Sequence, residues 1–245
     1  MTSLVFWHGW GMSATVWDTL IGELRELMPN EVHYDAIPLP GYGATALPGG
    51  DPLACWVDTM MASVSGPVVL CGWSMGAILA LQAAARYPDK VERLVLFGGT
   101  PCFAAKADWA FGMPRDTGDT FRQGVRSDPK TTMRRFVSLF NRADSHGREI
   151  VRRLSRLEIP PVAVLDAGLD FLDHADFRML VPSIRKKTLL IHGENDPLMP
   201  PDAARWLEKN LPDASLALLP DVAHAPFLSE PQRCAALMTA FMEQA

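Results

Sequence analysis

Short apolar runs alternate along this chain with longer stretches in which apolar residues recur at helical spacing. The runs are rich in Val, Leu and Ile, which is typical of strands buried on both faces of a parallel sheet. They predict strands at residues 3–8, 32–39, 67–73, 91–99, 187–193 and 215–221. The stretches between them predict helices at residues 17–28, 53–64, 77–87, 202–211 and 232–244. This alternation indicates an α/β fold, with a mainly parallel sheet flanked by helices.

The alternation is interrupted once, between Thr100 and about Ile184, where no apolar run has the character of a buried strand. Helical patterns at residues 131–143 and 147–157 occur there instead, broken by proline and glycine. About 80 residues are too many for a structureless loop, so the stretch predicts an inserted helical lid. We therefore expect an α/β core at residues 1–100 and 184–245, with the lid at residues 101–183.

Composition is that of an ordinary globular protein. With 245 residues, 48% of them hydrophobic and 21% charged, the chain can form one large core and is not disordered. A formal net charge of -5 argues against a surface built mainly for nucleic acid. The four widely spaced cysteines indicate free thiols and no metal site. Since neither a secretory leader nor a run of roughly 20 apolar residues is apparent, we expect a soluble cytoplasmic protein with no membrane partner.

One serine stands between two glycines at the point where an apolar run gives way to a helical pattern. Gly72-Trp73-Ser74-Met75-Gly76 fits G-x-S-x-G, with a predicted strand before it and a predicted helix after it. In that context the glycines permit a tight turn, and the helix N-terminus favours negative charge beside the serine. The same five residues also suit an ordinary tight turn. A catalytic role requires a base and an orienting carboxylate elsewhere in the chain.

His224 and Asp196 are the best candidates for the base and the carboxylate. Each lies in a loop that follows a predicted strand, where it can reach the carboxyl edge of the sheet. Ser74, Asp196 and His224 also occur in the chain order that accompanies a G-x-S-x-G turn. Asp221 is a rival acid, but it precedes the histidine by only three residues and is typical of a solvated turn.

The remaining histidines fit the site less well. His8 and His192 end other predicted strands, and we interpret them as structural residues whose ring nitrogens bond to nearby backbone. His33 lies within a strand, and His146 and His174 fall in the lid, so none of these three has the expected order.

A developing oxyanion needs backbone N–H donors. One is expected from Met75, the residue after the serine. The loop after the first strand, HGWG, offers the second: Gly9 and Gly11 let the backbone lie close to a substrate, and the N–H of Trp10 is the candidate donor. A glycine turn beside a packed tryptophan is the alternative interpretation of this loop.

Together these motifs resemble the α/β-hydrolase superfamily along essentially the whole chain. HGWG, PLPGYG, GWSMG, GENDPLMP and AHAPF occur in the order of that family. The resemblance implies the α/β-hydrolase fold and a serine hydrolase mechanism that uses no metal or organic cofactor.

A narrower resemblance concerns HGWGMSATVW, GWSMGAILALQAA, PCF, RRFVSLF, DAGLDFL and AHAPFLSEP. They are similar to the esterases of biotin synthesis that remove a methyl cap from a pimeloyl chain on acyl carrier protein. The resemblance implies that Ser74 is the nucleophile of a triad with Asp196 and His224, and that Trp10 and Met75 contact the substrate carbonyl. It also implies an acyl channel lined by Phe136, Val137, Ser138, Leu139 and Phe140. A general esterase or thioesterase for free small molecules and a noncatalytic receptor of the same fold are the alternatives.

Positive charge is concentrated in one part of the lid. Residues 121–156 carry ten basic and three acidic side chains, whereas the rest of the chain carries 13 and 25. Arg148 and Arg152 are four apart and would share a helix face, as would Arg135 and Arg142 if their helix extends that far. Such a run is often a solvated helix face. A basic cluster near a pocket can also orient an acidic partner, and the resemblance implies that these four arginines dock acyl carrier protein.

Overall fold

The computed structural model describes residues 2–28 and 32–244. A six-stranded sheet runs through it in the order β2-β1-β3-β4-β5-β6, and all neighbouring strands are parallel. The strands are β1 (Thr2–Trp7), β2 (Val32–Ile37), β3 (Val68–Trp73), β4 (Val91–Phe97), β5 (Lys187–Gly193) and β6 (Ala214–Leu219). The predicted parallel sheet is therefore confirmed, with each strand within a few residues of its expected place.

Helices cover this sheet. They are α1 (Asp18–Leu27), α2 (Pro52–Ala62), α3 (Met75–Arg86), α4 (Arg115–Ser127), α5 (Pro129–Phe140), α6 (Gly147–Leu154), α7 (Val162–His174), α8 (Pro201–Asn210), α9 (Pro226–Ser229) and α10 (Pro231–Glu243). Both β3 and most of α3 are buried, because the strand lies in the interior of the sheet and the helix packs directly on it. This burial holds the turn between them rigidly.

Four helices, α4 to α7, lie between β4 and β5, where the sequence indicated helices in place of a strand. The guanidinium of Arg122 in α4 forms ion pairs with Asp166, Asp170 and Asp173 on α7 at 2.6–3.1 Å. Because these three carboxylates share one partner, α4 and α7 are held together. The assignment of residues 101–183 to the lid stays a prediction.

Helix α5 is shorter than its sequence pattern indicated. It begins after Asp128, whose side chain accepts a hydrogen bond from the N–H of Thr131 at 3.0 Å, and it ends at Phe140. Two residues beyond Asn141, the backbone of Ala143 has a φ of 65°, which cannot continue a right-handed helix. Because the helix ends before Arg142, the condition for Arg135 and Arg142 to share a helix face is not met. Among the described residues, no helix is long and apolar enough to cross a membrane.

Candidate active site

Ser74 occupies a strained turn between β3 and α3. Its backbone has a φ of 58° and a ψ of -119°, which a non-glycine residue rarely adopts. A Cβ at Gly72 would collide with the backbone of Gly76, and a Cβ at Gly76 would collide with the carbonyl oxygens of Trp7 and His8. The two glycines of G-x-S-x-G are thus required because backbone segments approach each other closely on either side of the serine.

Asp196 and His224 meet at the carboxyl edge of the sheet. The Nδ1 of His224 lies 2.7 Å from Oδ2 of Asp196, and both side chains are almost fully buried. The other carboxylate oxygen, Oδ1, accepts hydrogen bonds from the backbone N–H groups of Leu198 at 2.9 Å and Met199 at 3.0 Å. The carboxylate is therefore fixed by its own loop and in turn fixes the imidazole ring.

The second ring nitrogen of His224 is not held by the aspartate. Its Nε2 is buried and has no hydrogen-bond partner within residues 2–28 and 32–244. A buried, unpaired imidazole nitrogen can accept a proton when its Nδ1–H is held by a carboxylate. This is the state that a general base requires.

The carboxyl of Asp196 is ionised. Burial alone would raise its pKa, but His224 and His192 outweigh burial and hold the pKa of Asp196 well below its usual range. The Nε2 of His192 lies 3.3 Å from Oδ2 of Asp196 and 2.7 Å from the carbonyl oxygen of Met199. His192 is thus bonded to backbone, as predicted, but it also supports the carboxylate, which its position in the sequence did not reveal.

His8 is a structural residue, as predicted. Its Nε2 accepts the N–H of Leu39 at 3.1 Å, and its Nδ1 lies 2.8 Å from the carbonyl oxygen of Gly9. Burial lowers the pKa of His8 to about 4, although the bond to Gly9 partly offsets it. The ring is therefore neutral at pH 7 and holds the start of the HGWG loop.

The HGWG loop lies against Ser74. A Cβ on Gly9 would come within 3.1 Å of the Cβ of Ser74. Gly11 has a φ of 70°, and its N–H donates to the hydroxyl of Tyr42 at 2.9 Å. The indole of Trp10 donates to the carbonyl oxygen of Leu165 on α7 at 2.9 Å. These bonds fix a loop in which the backbone N–H of Trp10 donates to no acceptor among residues 2–28 and 32–244.

A narrow apolar cavity lies at Ser74. Its lining consists of Trp10, Ser74, Phe103, Met113, Gly118, Phe121, Phe136, Leu169, Leu172, Asp173 and Leu198. A wider, more polar cavity of about 410 Å³ shares Phe103, Met113, Gly118 and Asp173 with it. The two cavities therefore share one wall: the cavity at Ser74 is apolar and small, at about 30 Å³, and its neighbour is larger and more polar.

The predicted channel segment of α5 is divided among different surroundings. Phe136 borders the cavity at Ser74 and packs edge-on against the indole of Trp10, with ring centroids 4.9 Å apart. Phe140 is buried, and its ring centroid lies 5.8 Å from that of His224. Val137 borders another cavity, Ser138 is exposed and Leu139 is half-buried. A substrate contact for all five residues stays a prediction.

Trp73, the variable residue before the serine, has a role that the motif alone did not indicate. Its indole Nε1 donates to the backbone carbonyl oxygen of His224 at 2.8 Å. The residue next to the candidate nucleophile therefore also holds the loop of the candidate base.

Asp221, the rival acid, is exposed in a turn with a φ of 60°, and no described hydrogen bond joins its carboxylate to His224.

The basic side chains of the lid fall into two groups. Arg122 and Arg126 pair with aspartates of α7, and Arg153 donates to the hydroxyl of Thr19 at 2.6 Å. The second group is exposed and forms no ion pair among the described residues; it includes Arg135, Arg142, Arg148 and Arg152 as well as Lys130, Arg134 and Arg156. Arg148 and Arg152 lie one turn apart on α6, as predicted. The four arginines proposed for docking are therefore available to a partner.

Comparison with known proteins agrees with this architecture. The alpha/beta hydrolase family matches residues 4–237. A pimeloyl-acyl-carrier protein methyl ester esterase from Aromatoleum aromaticum is 40% identical over 244 residues, covering 96% of both chains. Another from Nitrosomonas europaea is 35% identical and covers 94% of this chain and 91% of its own. An esterase from Exiguobacterium antarcticum superposes with a TM-score of 0.89 over 100% of this chain and 92% of its own, at 21% identity.

A parallel sheet with a strained serine after β3 and an aspartate–histidine pair after β5 and β6 defines an α/β hydrolase. The chain belongs to the alpha/beta hydrolase family and, within it, to the family of the carboxylic ester hydrolases found among its curated relatives. The predicted fold, enzyme class and family are thereby confirmed.

Proposed function

We propose that this enzyme hydrolyses the methyl ester of a pimeloyl chain carried on acyl carrier protein. The observation that carries the chemistry is the strained Ser74 turn beside a buried His224 whose Nδ1 is held by Asp196. The substrate is taken from the names of the relatives, which are pimeloyl-acyl-carrier protein methyl ester esterases at 35–40% identity over more than nine-tenths of this chain. A cytoplasmic location stays a prediction.

In the proposed reaction, Ser74 Oγ attacks the ester carbonyl carbon while its proton passes to Nε2 of His224. Asp196 keeps the imidazole in the required tautomer and stabilises the imidazolium. The backbone N–H groups of Trp10 and Met75 hold the oxyanion. His224 then returns the proton to the departing methoxide, which leaves as methanol, and a water activated by the same nitrogen releases the carboxylic acid from the serine.

The cavity favours an acyl chain beside the serine. Phe121, Phe136, Leu169 and Leu172 present apolar surface to the cavity at Ser74. The cavity itself holds only about 30 Å³, so in the proposal these side chains move apart to form a passage in which a methylene chain buries its apolar surface. The larger polar cavity, which shares part of its lining with the cavity at Ser74, would hold the bulkier group to which the chain is attached.

The exposed arginines of the lid are the proposed docking surface for the carrier. Arg135, Arg142, Arg148 and Arg152 are exposed and form no ion pair among the described residues. Acyl carrier protein is acidic by the family resemblance, so these charges would attract it and orient its acyl group towards the passage.

Replacement of the serine tests the function directly. The test measures methanol release from pimeloyl-acyl carrier protein methyl ester and from free dimethyl pimelate by purified Ser74→Ala. The control variant is Ser63→Ala, at an exposed serine that follows α2. Ser74→Ala should lose at least about 10³-fold in kcat on both, whereas Ser63→Ala should match the wild type. Near-wild-type turnover by Ser74→Ala would exclude the mechanism, and equal kcat/KM on the two substrates would favour a general esterase.

A further inference from the structure

Residues 140–145, which comprise the last residue of α5 and most of the turn that leads to α6, are fastened to both loops of the candidate triad. On the aspartate loop, Nδ2 of Asn195 donates to the carbonyl oxygen of Ala143 at 2.9 Å. On the histidine loop, the N–H of His224 donates to the carbonyl oxygen of Phe140 at 3.2 Å. We call residues 140–145 the lid turn. These two hydrogen bonds of the lid turn therefore reach the backbone of His224 and the side chain of Asn195, the residue before Asp196.

Asp144 is the centre of the lid turn. Its Oδ2 accepts the N–H of Ala223, the residue before His224, at 2.7 Å. Its Oδ1 accepts the hydroxyl of Ser229 in α9 and the N–H of His146, each at 2.8 Å. One half-buried carboxylate therefore joins the lid, the histidine loop and the helix that follows this loop.

Backbone geometry on both sides of this contact is unusual. Ala143 and Asp221 have φ values of 65° and 60°, and they are two of the three non-glycine residues in the described chain with a positive φ. The third is Ser74. The N–H of Ser145 donates to the carbonyl oxygen of Asp221 at 2.9 Å, which joins the two strained segments. Strained backbone persists only where surrounding contacts impose it, so the lid turn and the histidine loop hold each other in place.

We propose that Asp144 is a positioning residue, through which the lid turn fixes the loop of His224 relative to Ser74. This inference rests on the proposed function, because it assigns His224 as the base. Asp144 has no described contact with Ser74 or with the lining of its cavity, so it acts on the reaction only through Ala223 and Ser229. Its loss should misplace the base and leave the substrate passage intact.

The test compares two carboxylates of the lid. Asp144→Ala removes the contact to the histidine loop, whereas Asp128→Ala removes a carboxylate that bonds only within the first turn of α5. Asp144→Ala should lower kcat on p-nitrophenyl acetate about tenfold or more, with KM within twofold, because small displacements of a catalytic group are costly. The rate at which a fluorophosphonate labels Ser74 should fall in parallel. Asp128→Ala should retain both rates within twofold.

Two further measurements separate positioning from general loss of structure. The first is the thermal midpoint and circular dichroism of both variants, which show whether each is folded. The second is the kcat of Ser229→Ala, which keeps the bond between Asp144 and the N–H of Ala223 and should therefore fall less than the kcat of Asp144→Ala. The proposal is overturned if kcat and labelling rate of Asp144→Ala match those of Asp128→Ala, or if KM rises while kcat is unchanged. Neither p-nitrophenyl acetate nor the fluorophosphonate needs a carrier protein, so the outcome of this test does not depend on whether the proposed carrier substrate is correct. If Ser74→Ala were active, the assignment of the triad itself would be wrong.

Discussion

The imidazole Nδ1 of His224 lies 2.7 Å from Oδ2 of Asp196, which joins the loops that follow the neighbouring strands β5 and β6. Both side chains are buried, and Leu198 and Met199 hold the carboxylate with backbone N–H groups from the opposite side. The tautomer and orientation of the ring are therefore fixed by the folded protein before any substrate binds.

Asp196→Asn tests this relationship. The asparagine amide can direct an N–H at Nδ1 of the histidine, which would favour the tautomer with its proton on Nε2 and remove the base. We expect kcat on p-nitrophenyl acetate to fall about 10³-fold or more while the protein stays folded. Asp221→Asn, at an exposed turn whose φ asparagine tolerates, is the matched control and should keep wild-type kcat. Similar losses in the two variants would contradict the assignment of Asp196.

Gly168→Ala tests the support of the oxyanion loop. An added Cβ in α7 would lie 2.5 Å from Cδ1 and 2.9 Å from Nε1 of the Trp10 indole, so the tryptophan must shift. We expect kcat to fall about tenfold or more, because the Trp10 amide is the candidate oxyanion donor. Gly22→Ala in α1, where a Cβ meets nothing within 4 Å, should instead raise the unfolding free energy by about 0.5–1 kcal/mol. Unchanged kcat in Gly168→Ala would argue against this role of the loop.

The pKa of His8 predicts a pH-dependent stability. Because burial lowers the pKa from 6.5 to about 4, the unfolded chain binds more protons than the folded protein between these values. The neutral His8 ring makes its full contribution to the free energy of unfolding above pH 6.5. As the pH falls towards 4, this free energy of unfolding decreases by roughly 3 kcal/mol. Urea unfolding between pH 7 and pH 4 measures it. His8→Gln, which can still donate and accept, should flatten this dependence, whereas His33→Gln at an exposed position of β2 should not.

Charge reversal tests the docking surface. Arg148→Glu with Arg152→Glu should lower kcat/KM for pimeloyl-acyl carrier protein methyl ester by about tenfold or more, mainly through KM, and leave free dimethyl pimelate within twofold. Arg205→Glu with Lys209→Glu makes the same change in charge at the same spacing on α8, outside the lid, and is the control. Equal losses on both substrates, or none on either, would remove carrier docking from α6.

The core and its motifs could be predicted because their signals are local. Continuous apolar runs predicted β1 to β6, and the glycines beside Ser74 predicted a tight turn at the end of β3. The order of Ser74, Asp196 and His224 then placed all three at the carboxyl edge of one parallel sheet. Helix α5 was less well predicted, since its apolar spacing continues past Phe140 although the backbone turns away at Ala143.

By itself, the sequence determined the parallel sheet, the sharp serine turn and the order of the candidate triad, because each follows from periodic burial or from the steric requirements of glycine. Only the tertiary structure decided which distant groups support that triad. Trp73 bonds to a carbonyl 151 residues away, and Asp144 bonds to an amide 79 residues away. No periodicity or spacing encodes such contacts, since they arise when elements distant in sequence pack together and their buried polar groups must find partners.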